Sequence, residues 1–148
     1  MKTGWYNLDK NIDVYMVVKS LPNNSQQSLY IGAEPVGGGR YNILLGIFPT
    51  DIETLIELFL ERAWEVPTST NQQPSTATLS LALQGLKEIE TEIKATSHGK
   101  RRIIYVDGLD KRRLRIYTKA LNRYNFGYKT SSVKSDHVSN AKMLYKVL

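Results

Sequence analysis

Cysteine is absent from the 148-residue sequence, which excludes disulfide frameworks, thiolate zinc sites and cysteine nucleophiles. Histidine is scarce, and His98 and His137 are too far apart to form a metal-ligand motif. No window approaches the roughly 18 apolar residues that span a bilayer, and the N-terminus lacks the apolar run of a secretion signal. No serine or lysine lies in a recognisable nucleophile motif. We therefore expect a cytoplasmic protein with no membrane partner, no metal, no cofactor and no catalytic residue.

Acidic residues are also scarce, but only in the last third of the chain. Residues 100–148 contain 13 Lys and Arg against 3 Asp and Glu, a net charge of +10, whereas residues 1–99 contain 7 against 11, a net charge of −4. A cationic segment of this kind is where a polyanion would bind. The alternative is that the two parts neutralise each other, within the fold or in a homodimer.

The length fits one domain with a proper core, and the hydrophobic fraction of 41% is typical of a folded globular protein. We predict a single α/β domain over residues 1–148, with a Pro/Ser/Thr-rich loop at 66–76. Its mixed central sheet should begin with an antiparallel meander and continue with alternating helix and strand. After a lead-in at residues 1–11 that packs on the edge of the domain, the predicted strands are Val14–Leu21, Ser28–Ala33, Arg40–Phe48, Ile103–Val106 and Tyr128–Val133. The predicted helices are 51–65, a second that Ser75 or Thr76 caps and His98-Gly99 closes, a third between the Asp110 cap and the Gly127 stop, and Val138–Leu148.

The helix after Ile103–Val106 is strongly two-sided. At about 100° per residue, Arg112, Arg115, Lys119 and Arg123 share one stripe. Apolar side chains fall roughly opposite, and they are Leu114, Tyr117, Leu121 and Tyr124. Asp110 can cap the start of this helix and Gly127 can end it. One side should lie on the sheet while the other side is free to contact a ligand.

Ten cations lie within residues 101–134, among several tyrosines. Arginine suits bidentate phosphate contacts, and tyrosine can stack on unpaired bases. The tyrosines are Tyr105, Tyr117, Tyr124 and Tyr128, of which Tyr117 and Tyr124 should belong to the core. We predict a non-catalytic nucleic-acid-binding domain that recognises the backbone of DNA or RNA, because no motif for sequence-specific readout is present. The predicted contact residues are Arg101, Arg112, Arg113, Arg115, Lys119, Arg123, Lys129 and Lys134.

Two alternatives stay open. In the first, the basic helix docks an acidic protein surface or the acidic side of helix 51–65 in a second copy; Glu53, Glu57, Glu61 and Glu65 line that side. The helix that follows should also turn its acidic residues outward, namely Glu88, Glu90 and Glu92. In the second, the chain is a divergent metal-dependent nuclease centred on Asp107, with Asp110, Asp136 or a helix glutamate.

The predicted element order is similar to that of the ribonuclease H-like fold, and three phrases resemble segments of that family. Thr70-Asn71-Gln72 precedes a helix as the family's Thr-Asn-Asn does, IIYVDG at 103–108 resembles its fourth-strand Asp segment, and VKSDHVSNAKML at 133–144 resembles its ending. The phrases cover roughly the C-terminal half of the chain. The resemblance implies a ribonuclease H-like sheet, and His137 would correspond to the family's mobile histidine.

The same resemblance implies a catalytically silent member. Catalysis in that family needs four carboxylates, because two magnesium ions must be held about 4 Å apart around a phosphate. Only Asp107 stands at a matching position. Asp13 precedes the first strand, Thr78 lies where the helix Glu should be, and Lys142 replaces the last-helix Asp.

Overall fold

The structure is a computed structural model that describes residues 2–9, 12–22, 24–49, 76–107, 111–134 and 142–148. These residues form seven strands and two helices. In chain order they are β1 (Gly4–Asp9), β2 (Ile12–Leu21), β3 (Asn24–Gly37), β4 (Arg40–Pro49), α1 (Thr76–Thr96), β5 (Ile103–Asp107), α2 (Lys111–Arg123), β6 (Lys129–Lys134) and β7 (Lys142–Val147).

The seven strands form one mixed sheet in the order β1-β2-β3-β4-β5-β7-β6. Strands β1 to β4 are an antiparallel meander, of which β2 to β4 were predicted. Strand β5 then pairs parallel to β4, with Arg40 opposite Ile103 and Ile43 opposite Val106. Strand β7 is antiparallel to both β5 and β6 and lies between them. The α/β class is therefore confirmed, and the predicted strand Ile103–Val106 lies inside the sheet.

Both helices cover the same side of the sheet, which we call the helix face. Apolar side chains from alternate positions of β2, β3, β5 and β7 join those of the two helices in one core, which includes Val17, Ile31, Ile89, Ile104, Leu121 and Leu144. The other side, which we call the reverse face, carries a smaller buried cluster of Val14, Met16 and Tyr30. Burial on both faces explains why the central residues of β2 (VYMVV) and of β3 (LYIGA) are continuous apolar runs.

Helix α1 lies very close to β2 and β3. A Cβ atom added at Gly85 would stand 2.0 Å from Ile31 Cδ1 and 3.4 Å from Val17 Cγ1. Glycine therefore lets the helix backbone reach the sheet at this position. At the sheet edge, Trp5 Nε1 donates a hydrogen bond of 2.8 Å to Glu92 and ties β1 to the same helix. Neither helix in the described part of the chain is long and apolar enough to cross a membrane.

Helix α2 ends at Arg123, earlier than predicted, and an asparagine caps it. Asn125 adopts a left-handed conformation with φ of 56°. The Phe126 amide donates to the Leu121 carbonyl at 3.0 Å and the Asn125 amide donates to the Asn122 carbonyl at 3.2 Å, which is the Schellman pattern. Gly127, the predicted stop, also has a positive φ of 82° but follows this cap.

One prediction of secondary structure was wrong. The predicted helix Val138–Leu148 is contradicted, because Lys142–Val147 is strand β7 and pairs with a strand on each side. The lead-in predicted at the edge of the domain contains edge strand β1, which the sequence analysis did not identify as a strand. The predicted helix 51–65 and most of the predicted loop 66–76 lie outside the described residues, as do Asp110, Asp136 and His137.

Candidate nucleic-acid interface

Helix α2 has an inner side and a cationic outer side. Leu114, Tyr117 and Leu121 pack into the core of the helix face. Arg115, Lys119 and Arg123 are exposed, and we call these three residues the basic face. They are spaced by four residues, so they form a line about 12 Å long on one side of the helix. The two-sided helix that the sequence predicted is therefore present.

The cations at the start of α2 do not stabilise the helix. Six of its thirteen residues are Lys or Arg, its first turn contains no acidic residue, and three cations occupy positions 111–113. A helix N-terminus carries a partial positive charge, so cations in the first turn cost about 0.3–1 kcal/mol each when exposed. Exposed Ile116, 37% accessible, lies beside the basic face. The helix therefore presents a dense positive surface that an anion would neutralise.

An exposed aromatic ring extends the basic face at its C-terminal end. Tyr124 was predicted to belong to the core, but 57% of it is exposed. The helix ends at Arg123, so Tyr124 has left the helical line that would have directed it onto the sheet. The Arg123 guanidinium lies over the Tyr124 ring, with Cζ 5.7 Å from the ring centroid. This cation–π contact stabilises both side chains in an exposed position.

The other predicted contact residues are divided between two ends of the sheet. Strands β5 and β6 are parallel to each other, because both are antiparallel to β7. Exposed Arg101 precedes β5 and exposed Lys129 begins β6, so both lie at the same end. At the other end lie the backbones of Lys134, Arg112 and Arg113, whose side chains are outside the described part of the structure. Helix α2 runs between the two ends.

The tyrosines within this segment have three different environments. Tyr117 packs against the core, as predicted. Tyr128 is buried and its hydroxyl donates a hydrogen bond of 3.2 Å to Glu90 Oε2. Tyr105 is half-buried on the reverse face, beside Tyr145 of β7. Sequence reasoning missed Tyr145 because it placed that residue in a helix.

Glu90 was predicted to face solvent, and the structure contradicts this. It is 9% exposed and accepts hydrogen bonds from Tyr128 and from the Lys146 ammonium. Lys146 Nζ also lies 5.8 Å from the centroid of the Tyr128 ring. Burial raises the pKa of Tyr128 far above 10.0, and the charge of Glu90 and the hydrogen bond to it raise it further. This polar cluster connects α1 to β7 and to the residue that precedes β6.

In the described part of the chain, the carboxylate on which a nuclease would depend does not belong to a metal-binding group of side chains. Asp107 is half-buried at the end of β5 and takes part in an interaction there. Within residues for which side chains are described, no three Asp, Glu or His side chains are grouped to hold a metal ion.

Comparison of the chain with protein-family models, with curated proteins and with solved structures found no match. The charge and geometry of the interface are therefore the guide to function.

Proposed function

We propose that this protein is a non-catalytic nucleic-acid-binding domain whose α2 basic face contacts phosphates. The observation that carries the proposal is the exposure of Arg115, Lys119 and Arg123 in one line, opposite side chains that are packed in the core. The net charge of +10 in residues 100–148 supports it further. Such a surface would recognise the backbone of DNA or RNA, since phosphate contacts carry no sequence information.

The proposal predicts a steep salt dependence. Each neutralised phosphate releases condensed counterions, so log affinity falls against log salt with a slope of about −0.9 per contact on duplex. The basic face together with one of the flanking cations, such as Arg112, gives four contacts and a slope of roughly −3 to −4. Titration of a fluorescent duplex and of a single strand at several salt concentrations measures the slope directly.

The decisive variant is Arg115→Glu with Lys119→Glu. We expect it to abolish binding and to leave the melting temperature nearly unchanged, because both side chains are exposed and point away from the core. The matched control is Lys87→Glu with Lys94→Glu, which makes the same charge change at two exposed positions of α1. The control should bind nearly as well as the native protein, since the loss comes from the site and not from net charge.

Two results would contradict the proposal. The first is binding that survives the α2 reversal, and the second is affinity that does not change with salt. If the native chain instead captures an acidic protein or dimerises through α2, the protein-interaction alternative is favoured. Magnesium-dependent cleavage by the pure protein, lost in Asp107→Asn, would support the nuclease alternative.

The ribonuclease H-like order stays a proposal about the origin of the fold. The antiparallel meander, followed by helix, strand, helix and strand, supports it. Strand β7, which stands where a last helix was expected, weighs against it, as does the extra edge strand β1. Phosphate binding by the basic face does not depend on this kinship.

A further inference from the structure

Two tyrosines form a cross-strand pair on the reverse face of the sheet. Tyr105 of β5 is directly opposite Tyr145 of β7, with ring centroids 6.3 Å apart and planes inclined by 34°. Both rings are half-buried, so each exposes part of its surface. Helices α1 and α2 lie on the other side of the sheet and cover neither ring.

Polar and cationic residues continue the same row across the sheet. Asn42 of β4 is the register partner of Tyr105, and Lys129 of β6 is the partner of Tyr145. Lys129 is exposed at the edge strand, where a phosphate could approach it from solvent. The row therefore runs from an amide, through two rings, to a cation.

A second row lies two residues along the strands and has the same character. Exposed Arg40 of β4 is paired with Ile103, which is paired with Val147 of β7. Val147 is 43% exposed. Apolar and aromatic surface is thus flanked by a cation at each side of the patch, Arg40 and Lys129. We call this surface the tyrosine patch.

We propose that the tyrosine patch binds unpaired bases, which makes single-stranded nucleic acid the preferred ligand. This inference rests on the proposed function and adds to it the class of nucleic acid. Every base has an apolar face that stacks on a tyrosine ring, and the flanking cations complement the backbone charge. A duplex keeps its bases stacked inside, so it could contact the basic face of α2 but would gain nothing from the rings.

The path between the two surfaces passes the β6 edge of the sheet. Helix α2 leads to β6, and its last residue, Arg123, and the following Tyr124 precede Lys129 by only a few residues. Lys129 in turn begins the row of the tyrosine patch. A single strand can therefore contact α2 on one side and the two rings on the other, which a stiff duplex cannot do.

The test compares three probes of equal length on the native protein. They are a 12-nucleotide oligothymidylate, the same strand with abasic sites throughout, and a 12-base-pair duplex. Base stacking is lost with the abasic strand while every phosphate is kept. We expect oligothymidylate to bind about five- to a hundredfold more tightly than the abasic strand, because removal of one stacking ring typically has an effect of this size.

The matched variants are Tyr145→Leu and Tyr6→Leu. Tyr6 is also half-buried and is paired with Val14 of the reverse face, but it belongs to β1 at the far edge of the sheet. Tyr145→Leu should lower oligothymidylate affinity toward that of the abasic strand and leave the salt slope unchanged. Tyr6→Leu should leave the preference for bases intact.

Equal affinity for oligothymidylate and the abasic strand in the native protein would overturn the inference, and this result needs no variant to fold. Tighter binding of the duplex than of oligothymidylate would overturn it as well. In both cases the proposed function survives if affinity still falls with salt and is lost in the α2 reversal. Absence of binding to all three probes would overturn both proposals.

Discussion

Replacing Glu90 by glutamine should destabilise the fold, because the change removes the counter-charge of Lys146 from a largely buried site. The two side chains are 11% and 27% exposed. Breaking a fully buried ion pair from one side costs about 3–5 kcal/mol. Lys146 keeps about a quarter of its side chain in water and can recover part of its hydration, so we expect a loss of about 2 kcal/mol.

The same helix offers a matched control. Glu88 pairs with Lys19 at 2.6 Å, but its side chain is 45% exposed. Exposed ion pairs contribute about 0–1 kcal/mol, so Glu88→Gln should cost less than 1 kcal/mol. Both substitutions remove one carboxylate that faces a lysine of the sheet. Glutamine at position 90 keeps an oxygen that can accept the Tyr128 hydrogen bond, so the main remaining difference is burial. The comparison therefore isolates the effect of desolvation.

Equilibrium unfolding in urea measures the free energy of unfolding of both variants. In a chain of this length, the melting temperature should fall by about 2–4 °C for each kcal/mol of stability that is lost. Raising the salt from 0.1 to 1 M should reduce the effect of Glu88→Gln and leave that of Glu90→Gln nearly unchanged, since buried pairs are screened less. Equal losses for the two variants, or equal salt sensitivity, would refute the reasoning.

Two further predictions concern the helix face of the sheet. Gly85→Ala should destabilise by about 1 kcal/mol, because overpacking against Ile31 outweighs the gain in helix propensity. Adding Ile31→Val, which removes Cδ1, should recover part of that loss in a double-mutant cycle. If Gly85→Ala alone stabilises the protein, α1 can shift away from the sheet and the predicted overpacking is absent. The second prediction is that stability falls above about pH 10, because the raised pKa of Tyr128 keeps its proton in the fold while the unfolded chain releases it. In unfolding experiments, Tyr128→Phe should flatten this decline by up to about 1.4 kcal/mol per pH unit. If the free energy of unfolding falls with pH equally in the variant and the native protein, Tyr128 is not the group responsible.

Local sequence alone determined the features that depend on neighbours along the chain. The strands Arg40–Phe48 and Ile103–Val106 follow from apolar and β-branched runs between turn residues. In α2, the rotation of about 100° per residue decides which side chains share a side, whatever the helix packs against. Arg115, Lys119 and Arg123 were therefore predictable as one exposed line, and they are the part of the candidate interface that the sequence identified.

Only the tertiary structure decided the conformation of Lys142–Val147. Leu144, Tyr145 and Leu148 fit helical spacing, yet this segment pairs with β5 and β6, which are distant in sequence. Backbone hydrogen bonds to two neighbouring strands outweigh a weak local preference. The pairing of Tyr105 with Tyr145 could not be predicted for the same reason. Glu90 is buried because Tyr128 and Lys146, 38 and 56 residues away, donate hydrogen bonds that offset the cost of removing its carboxylate from water.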